Sequence, residues 1–482
     1  MGFIWDNLYI VLIIANMLLS LIIIFRERRE TAQTWAWLLV LIFIPILGFF
    51  LYIYFGRGLS KDKMFDVKMQ PKLGLNTEIE AQKRAFARGV FPKPPTDHVD
   101  VRQLIYMLTV FESSLYTTNN EIQLYTDGQE KFAALLADID QAEHHIHLQY
   151  YIYRDDELGR KVRQHLTAAA QRGVEVRVLL DAWGSIQVNK TFFEELRAAG
   201  GQVILFFPLF LPYLNPRSNY RNHRKIVVID GKIGYTGGFN VGDEYLGLVA
   251  KFGYWRDNHL RIHGDAVYSL QNRFLMDWNS QHSNELTYDQ HYFPKIDSLG
   301  AIDAQVITSG PDSEHEQIKM AYLKMISQAK HEILIQTPYY IPDGSIHEAL
   351  KLALLSGVKV RLQIPNKPDH ILVYWATYSF AAELLEYGAI VETYEIGFMH
   401  AKTVIIDGGI VSVGSANIDN RSFRLDFEVN TIIYDAAFAG KVRDAFYHDS
   451  TNSELLTIEK YELRGFWIKV KEGFARLLSP LL

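Results

Sequence analysis

The chain contains no cysteine. Disulfides are thereby excluded, and so are thiolate sites for zinc or iron–sulfur clusters. A basic excess is missing too: across 482 residues, 49 Lys and Arg stand against 55 Asp and Glu, a formal net charge of -6. No overall positive field therefore marks a nucleic-acid binder. Apart from Asp6 and the turn 26–30, the first 55 residues carry no charge at all. They also lack the basic start and A-x-A-like site of a cleaved signal peptide, and a second apolar run follows the first. The length suffices for two or three domains with full cores.

What fills that uncharged region is two long apolar runs, 8–25 ("LYIVLIIANMLLSLIIIF") and 35–55 ("WAWLLVLIFIPILGFFLYIYF"). At about 1.5 Å per residue, each is long enough to cross a hydrocarbon layer of about 30 Å. "RERRE" and "TAQT" between them are short enough for a hairpin, and Trp35, Trp37, Tyr52 and Tyr54 sit near the span ends like an aromatic belt. Pro45 is expected to kink the second helix. Three Arg in the turn stand against Arg57, Lys61, Lys63, Lys68 and Lys72 beyond the second span, which favours the C-terminal bulk on the cytoplasmic side of the cell membrane.

Beyond this hairpin (1–56) and a charged, Pro-containing linker and lead-in (57–117), the chain reads as α/β, twice. "HHIHLQYYIYRDD", "ELGRKVRQHLTAAAQRG" and "VEVRVLLD" find counterparts in "HEILIQTPYYIPDG", "SIHEALKLALLSG" and "VKVRLQIP". Each copy runs strand, helix, strand, with a glycine closing the helix. Gln149/Gln336, Gly173/Gly357 and His223/His400 are offset by 187, 184 and 177, the drift that a few loop deletions leave in a duplicated domain. The repeats are placed at 118–300 and 301–482. His144, His145 and His147 have no acidic or cysteine partners at ligand spacing and read as a strand with partly exposed histidines.

The chemistry sits in "HRKIVVID" and "HAKTVIID". Residues i and i+2 of a strand share a face, so His223 projects with Lys225, and His400 with Lys402. Two His and two Lys without clustered carboxylates make a poor metal site and a good anion site, so no metal is expected. The lysines, Asn240 and Asn417 are candidates for holding phosphate oxygens. Gly237, Gly238 and Gly414, with Ser415, allow close backbone approach to the same group. One histidine can attack phosphorus while the other protonates the leaving oxygen, through a covalent phosphohistidine. Each then needs a carboxylate on its other nitrogen; Asp257 and Glu428 are the candidates. Asp230 and Asp407, grouped with the catalytic motif, open "DG" turns and read as more structural than chemical.

The doubled H-x-K-x4-D-x6-G-[GS]-x-N motif resembles the signature of the phospholipase D superfamily. The apolar hairpin, "YYIYRDDELGRKV", "NHRKIVVIDGKIGYTGGFNVGDEY", "SANIDNRSFRLDFEVN" and the "SPLL" ending are similar to bacterial cardiolipin synthases over essentially the whole chain. The resemblance implies two repeats about a pseudo-twofold axis sharing one active site, without cofactor. It implies transfer of a phosphatidyl group between two phosphatidylglycerol molecules, giving cardiolipin and glycerol, with His223 as nucleophile and His400 as acid/base, or the reverse. Membrane phospholipids are then the partners. Alternatives are a hydrolytic phospholipase D, a phosphatidylserine synthase, for which no nucleotide site is identifiable, and an inactive membrane scaffold. The aromatic segment 206–220 reads either as a lipid entrance or as a packed loop. The final helix, with Trp467, Val470, Phe474 and Leu477/Leu478 on one face flanked by Lys469, Lys471 and Arg476, reads either as an interfacial membrane helix or as a helix docked on the core. Nothing in the sequence signals an oligomeric state.

Overall fold

The computed structural model describes residues 2–26, 31–52, 75–91, 100–189, 191–208, 219–281, 286, 289–297, 300–313 and 315–481. The chain divides into two compact units, a small one that includes the N-terminal hairpin and a large one that holds nearly all the rest.

In the small unit, one helix spans Gly2–Arg26, and a second is broken at Ile44 into Thr31–Phe43 and Pro45–Leu51. Pro45 has no N–H, so the Leu41 carbonyl loses its helical partner. Asn16 supplies the missing donor: its Nδ2 reaches Leu41 O at 3.2 Å and Pro45 O at 2.8 Å. This accounts for a polar residue inside an apolar run. Ile23, Leu41 and Tyr52 pack inward, while Ile10, Met17, Leu18, Ile42, Phe43 and Phe50 face outward. Side chains of the first helix are described only over 10–23, and among the described residues no helix is long and apolar enough to cross a membrane. Tyr54, residues 27–30 and the charged positions 57–72 lie outside the described residues.

The large unit carries the duplication. Repeat 1 contributes β1 (Tyr116–Tyr125), β2 (His145–Tyr150), β3 (Glu175–Asp181), β4 (Gln202–Phe206), β5 (Ile226–Ile229), β6 (Ile233–Gly237), β7 (Tyr254–Arg256) and β8 (His259–Gly264). Repeat 2 contributes β9 (Ile302–Ser309), β10 (Glu332–Gln336), β11 (Tyr340–Ile341), β12 (Lys359–Pro365), β13 (Ile390–Tyr394), β14 (Gly397–Met399), β15 (Thr403–Ile406), β16 (Ile410–Gly414), β17 (Ile418–Asp419), β18 (Glu428–Ile433) and β19 (Ser453–Leu456). Fifteen of these form one sheet, ordered β19-β13-β12-β10-β15-β16-β18-β9-β1-β8-β6-β5-β2-β3-β4. Outward from the β1–β9 seam the two sides match strand for strand, except that β19 extends one edge. β1 and β9 are antiparallel, as an axis between them requires. The parallel pairs β2–β3 and β10–β12 are joined by the helices Glu157–Gln171 and Gly344–Leu355.

Local sequence explains these crossovers. Asp156 and Asp343 accept N–H groups at the two helix starts, from Gly159 at 2.9 Å and from Ile346 at 3.0 Å. Gly173 and Gly357 end them at φ +91° and +86°, which lets the next residue bond back to the helix carbonyls of Ala169 and Ala353. The halves have separate cores, one around Leu148, Val162, Leu166 and Val178, the other around Ile335, Leu350, Leu362 and Leu384. Truncating one such leucine to alanine costs about 2–5 kcal/mol.

Two expectations need correction. The segment 57–117 is more than a linker: helices Asn76–Ala87 and Arg102–Val110 lie within it, and Leu104, Ile105 and Leu108 of the second are fully buried in the repeat 2 core. Their 3–4 spacing is that of an amphipathic helix. His145 and His147 are not partly exposed. Both are buried on β2, and Gln271 bridges them, its Oε1 3.1 Å from His145 Nε2 and its Nε2 donating to His147 Nδ1 at 2.8 Å. Burial holds both imidazoles neutral by pushing their proton affinity far down.

Candidate active site

His223 and Lys225 lie immediately before β5, and His400 and Lys402 immediately before β15. Each motif is held in place by the other repeat. The His223 N–H donates to Phe427 O at 2.9 Å, just ahead of β18, and the His400 N–H donates to Arg256 O at 2.7 Å, on β7. β14 runs into His400 and pairs in parallel with β7, while Asn222 bridges Phe427.

The side chains follow the same exchange. His223 Nδ1 lies 3.2 Å from Glu428 Oε1, and His400 Nδ1 lies 2.5 Å from Asp257 Oδ2. Each imidazole thus draws its carboxylate from the opposite half. With the carboxylates ionised, both Nδ1 atoms carry hydrogen and both Nε2 lone pairs are left for chemistry. Tyr151 packs against the His223 ring at 4.0 Å between centroids, and Trp255 against His400 at 5.0 Å. His223 and His400 keep 20% and 14% of their side-chain surface exposed, so their edges remain reachable.

Each lysine is anchored alike: Lys225 Nζ donates to His223 O and Lys402 Nζ to His400 O, both at 2.6 Å. An ammonium has three hydrogens, and the carbonyl uses one. The motifs share one electrostatic neighbourhood, since the Lys225 charge lowers the proton affinity of both His400 and Lys402. Burial depresses both histidines to about 4, so both are neutral at pH 7. Lys402 is lowered to about 7 by the same cause, and buried Glu428 is raised to about 7.

The remaining predicted residues fall into distinct places. Asp230 and Asp407, grouped with the catalytic motif in sequence, are placed in turns. They stand beyond the far ends of β5 and β15, where each carboxylate accepts backbone N–H groups: Glu143, His144 and His145 for one, Lys330, His331 and Glu332 for the other, at 2.7–3.0 Å. Both adopt left-handed φ, 54° and 49°, in the turns they open. Ser415 Oγ donates to Glu428 Oε2 at 2.5 Å, so it fixes the acid. Asn240 is engaged at both ends, by the Ile152 N–H and by Tyr245 Oη. Asn417 is buried and its Oδ1 has no hydrogen-bond partner among the described residues. A Cβ on Gly238 would fall 1.9 Å from Asp257 Oδ1, so this glycine admits the acid, not a phosphate.

Sequence reasoning missed the groups behind the acids. Arg224 forks onto Asp277 at 2.8 Å and donates to Glu428 O at 3.1 Å; Arg256 pairs with Asp449 at 2.8–2.9 Å and donates to Asp257 O at 2.6 Å. Asp257/Glu428 and Asp277/Asp449 are offset by 171 and 172, close to the 177 of the motifs, and that recurrence was the available signal. Asp426 was missed as well. Its Oδ2 lies 3.7 Å from His223 Nδ1, and ligand atoms of His223, Asp426 and Glu428 all fall within 4.8 Å of one another. The premise of no clustered carboxylates therefore does not hold.

Two histidines with carboxylates crossed between halves, and two buried lysines, form a site for an anionic phosphorus centre. A family profile described as cardiolipin synthase, PLD-like domain, matches residues 135–278 and 322–450. The chain belongs to the cardiolipin synthase, phospholipase D-like family. A profile described as phospholipase D-nuclease N-terminal matches 14–57. Among family relatives, the major cardiolipin synthase of Bacillus subtilis is 52% identical over 470 residues, covering 97% of this chain and 98% of that protein. A cardiolipin synthase of Listeria welshimeri is 52% identical over 476 residues, 98% and 99% of the two chains. The crystal structure of phosphatidylserine synthase from Haemophilus influenzae shares the fold, with a TM-score of 0.60 at 16% identity over 77% of this chain and 98% of that one.

Proposed function

We propose that this protein is a phosphatidyltransferase that makes cardiolipin and glycerol from two molecules of phosphatidylglycerol. The observation that carries the reading is the crossed pair His223–Glu428 and His400–Asp257 with Lys225 and Lys402 between them. His223 Nε2 attacks phosphorus, the bond from phosphorus to the headgroup glycerol oxygen breaks, and His400 donates a proton to that oxygen. A hydroxyl of the second phosphatidylglycerol then gives its proton to His400 and attacks phosphorus, breaking the P–N bond. An anionic phosphodiester beside the lysines offsets their mutual repulsion and raises the proton affinity of His400, which arms it as the acid only when substrate is bound. Lys225 and Lys402 hold the phosphoryl oxygens, with Asn240 and Asn417 as supports.

No step of this route is assigned to a metal. Runs 8–25 and 35–55 act as two membrane spans, with catalysis on the cytoplasmic side, and the two repeats divide near 300. Outward-facing apolar side chains of the hairpin and the Asn16 bonds that repair the Pro45 break support the spans. The purified chain, given phosphatidylglycerol alone, is expected to yield cardiolipin and glycerol in equal amounts, unchanged by EDTA and abolished in His223→Ala. Phosphatidic acid as sole product would mean a hydrolase. Dependence on CDP-diacylglycerol would mean a nucleotide-dependent synthase.

A further inference from the structure

The last helix, Phe466–Leu477, presents two opposite faces. Its inner face docks on the helix Ile371–Glu386: Ala475 and Glu472 are buried, Arg476 pairs with Glu383, and Lys471 Nζ sits 5.1 Å over the Trp375 ring. Its outer face carries Phe466, Trp467, Val470, Phe474 and Leu477, of which Phe466 and Trp467 are each 72% and Leu477 79% exposed. At about 100° per residue these five fall within an arc of about 100°, with Lys469 and Lys471 on either side of it. The reading as a helix docked on the core therefore describes the inner face, and the outer face is free of that core. The chain continues from it into Ser479–Leu481, where Ser479 O accepts from Asn420 Nδ2 at 3.1 Å. Asn420 opens the helix Asn420–Arg424, whose Arg421 pairs with Asp426 at 3.4 Å, and Asp426 stands beside His223.

We infer that this outer face lies in an anionic bilayer surface and holds the mouth of the active site against the lipids it consumes. This rests on the phosphatidyltransferase reading. An apolar arc rich in aromatics and bordered by lysine matches the headgroup boundary of an anionic membrane: the rings enter the acyl edge and the Lys469 ammonium meets lipid phosphates. Water offers neither interaction. A second copy of the chain would place the same lysines against each other.

The absence of cysteine makes the test clean, because one introduced cysteine takes one label. The full chain is reconstituted in phosphatidylglycerol vesicles after nitrobenzoxadiazole labelling of Trp467→Cys or Phe474→Cys, with Glu348→Cys, 71% exposed on another helix, as control. Blue-shifted, brightened emission at 467 and 474 but not at 348 is expected, weaker in phosphatidylcholine. Emission at 467 and 474 that matches 348 in both lipids overturns the proposal. A shift in detergent that grows with protein concentration also overturns it and assigns the face to a second copy. The triple variant Phe466→Ser, Trp467→Ser, Phe474→Ser should lose about tenfold in cardiolipin formation from bilayer lipid. It should keep full activity on water-soluble dihexanoyl phosphatidylglycerol. Equal loss on both substrates overturns the proposal. His223→Ala reports separately on the underlying reading, since it removes turnover of both.

Discussion

The two histidines occupy equivalent places in a duplicated fold, yet their surroundings are built differently. Behind His400, a short carboxylate, Asp257, lies in space left by Gly238 and takes the N–H of Asn258 at 2.8 Å. Behind His223, the longer Glu428 is tied by Ser415, and a second acid, Asp426, lies close by. The guanidinium behind each acid comes from different neighbours: Arg224 follows His223 in the chain, whereas Arg256 precedes Asp257. Repeat 2 has Ala401 and Phe427 at the corresponding positions, so repeat 1 supplies both arginines. The electrostatic frame was preserved while its sources shifted: His400 has the shorter contact to its acid, 2.5 Å against 3.2 Å, while His223 has a second acid within 3.7 Å.

The sharpest way to break this comparison is removal of each histidine in turn. His223→Ala and His400→Ala should each lower turnover by about 10³-fold or more. Quenching in alkaline detergent, which spares the acid-labile P–N bond, with labelled phosphatidylglycerol should trap label in His400→Ala and none in His223→Ala. The opposite pattern would falsify the assignment of roles. Next in size are the acids: Glu428→Gln and Asp257→Asn should cost about 10²-fold each. A p-nitrophenyl phosphodiester, whose leaving group needs no proton, should rescue the first step in Asp257→Asn and not in Glu428→Gln. Gly238→Ala should behave like Asp257→Asn, because its methyl takes the place of the carboxylate.

A smaller effect concerns pH. Both histidines are depressed to about 4, so the attacking imidazole stays neutral and competent well into the acidic range. Lys402, lowered to about 7, loses its charge as pH rises through neutrality and with it part of its hold on phosphate. First turnovers on soluble substrate should therefore fall severalfold above pH 7, and Lys402→Arg should move that limb upward because guanidinium stays protonated. An unmoved limb would assign it to another group. Smallest in activity are the turn aspartates. Asp230→Asn and Asp407→Asn should lower stability by about 1–3 kcal/mol each, read as a lower Tm, with the folded fraction retaining near-normal turnover. Turnover lost without loss of stability would return them to the catalytic set.

Much of this was legible without coordinates because it was written locally and twice. The paired His-x-Lys motifs, the helix-closing glycines Gly173 and Gly357 and the candidate acids Asp257 and Glu428 recur at steady offsets, and a duplicated pattern outweighs any single match. That Ser415 and Gly238 meet the supporting acids was not legible, because a short polar or glycine position beside a phosphate motif looks alike whether it faces substrate or an acid. The turn role of Asp230 and Asp407 was readable from "DG". That their carboxylates gather the N–H groups opening β2 and β10 was not, since those donors lie 75–87 residues away.

By itself, the sequence determined the duplication, the anion chemistry and the apolar N-terminal hairpin, because these depend on residue type and short-range periodicity. Only the tertiary structure decided which acid serves which histidine, at separations of 205 and 143 residues. The physical reason is the antiparallel β1–β9 seam. It relates the two halves about one axis, and each imidazole finds its buried carboxylate in the other half, Glu428 at the start of β18 and Asp257 between β7 and β8.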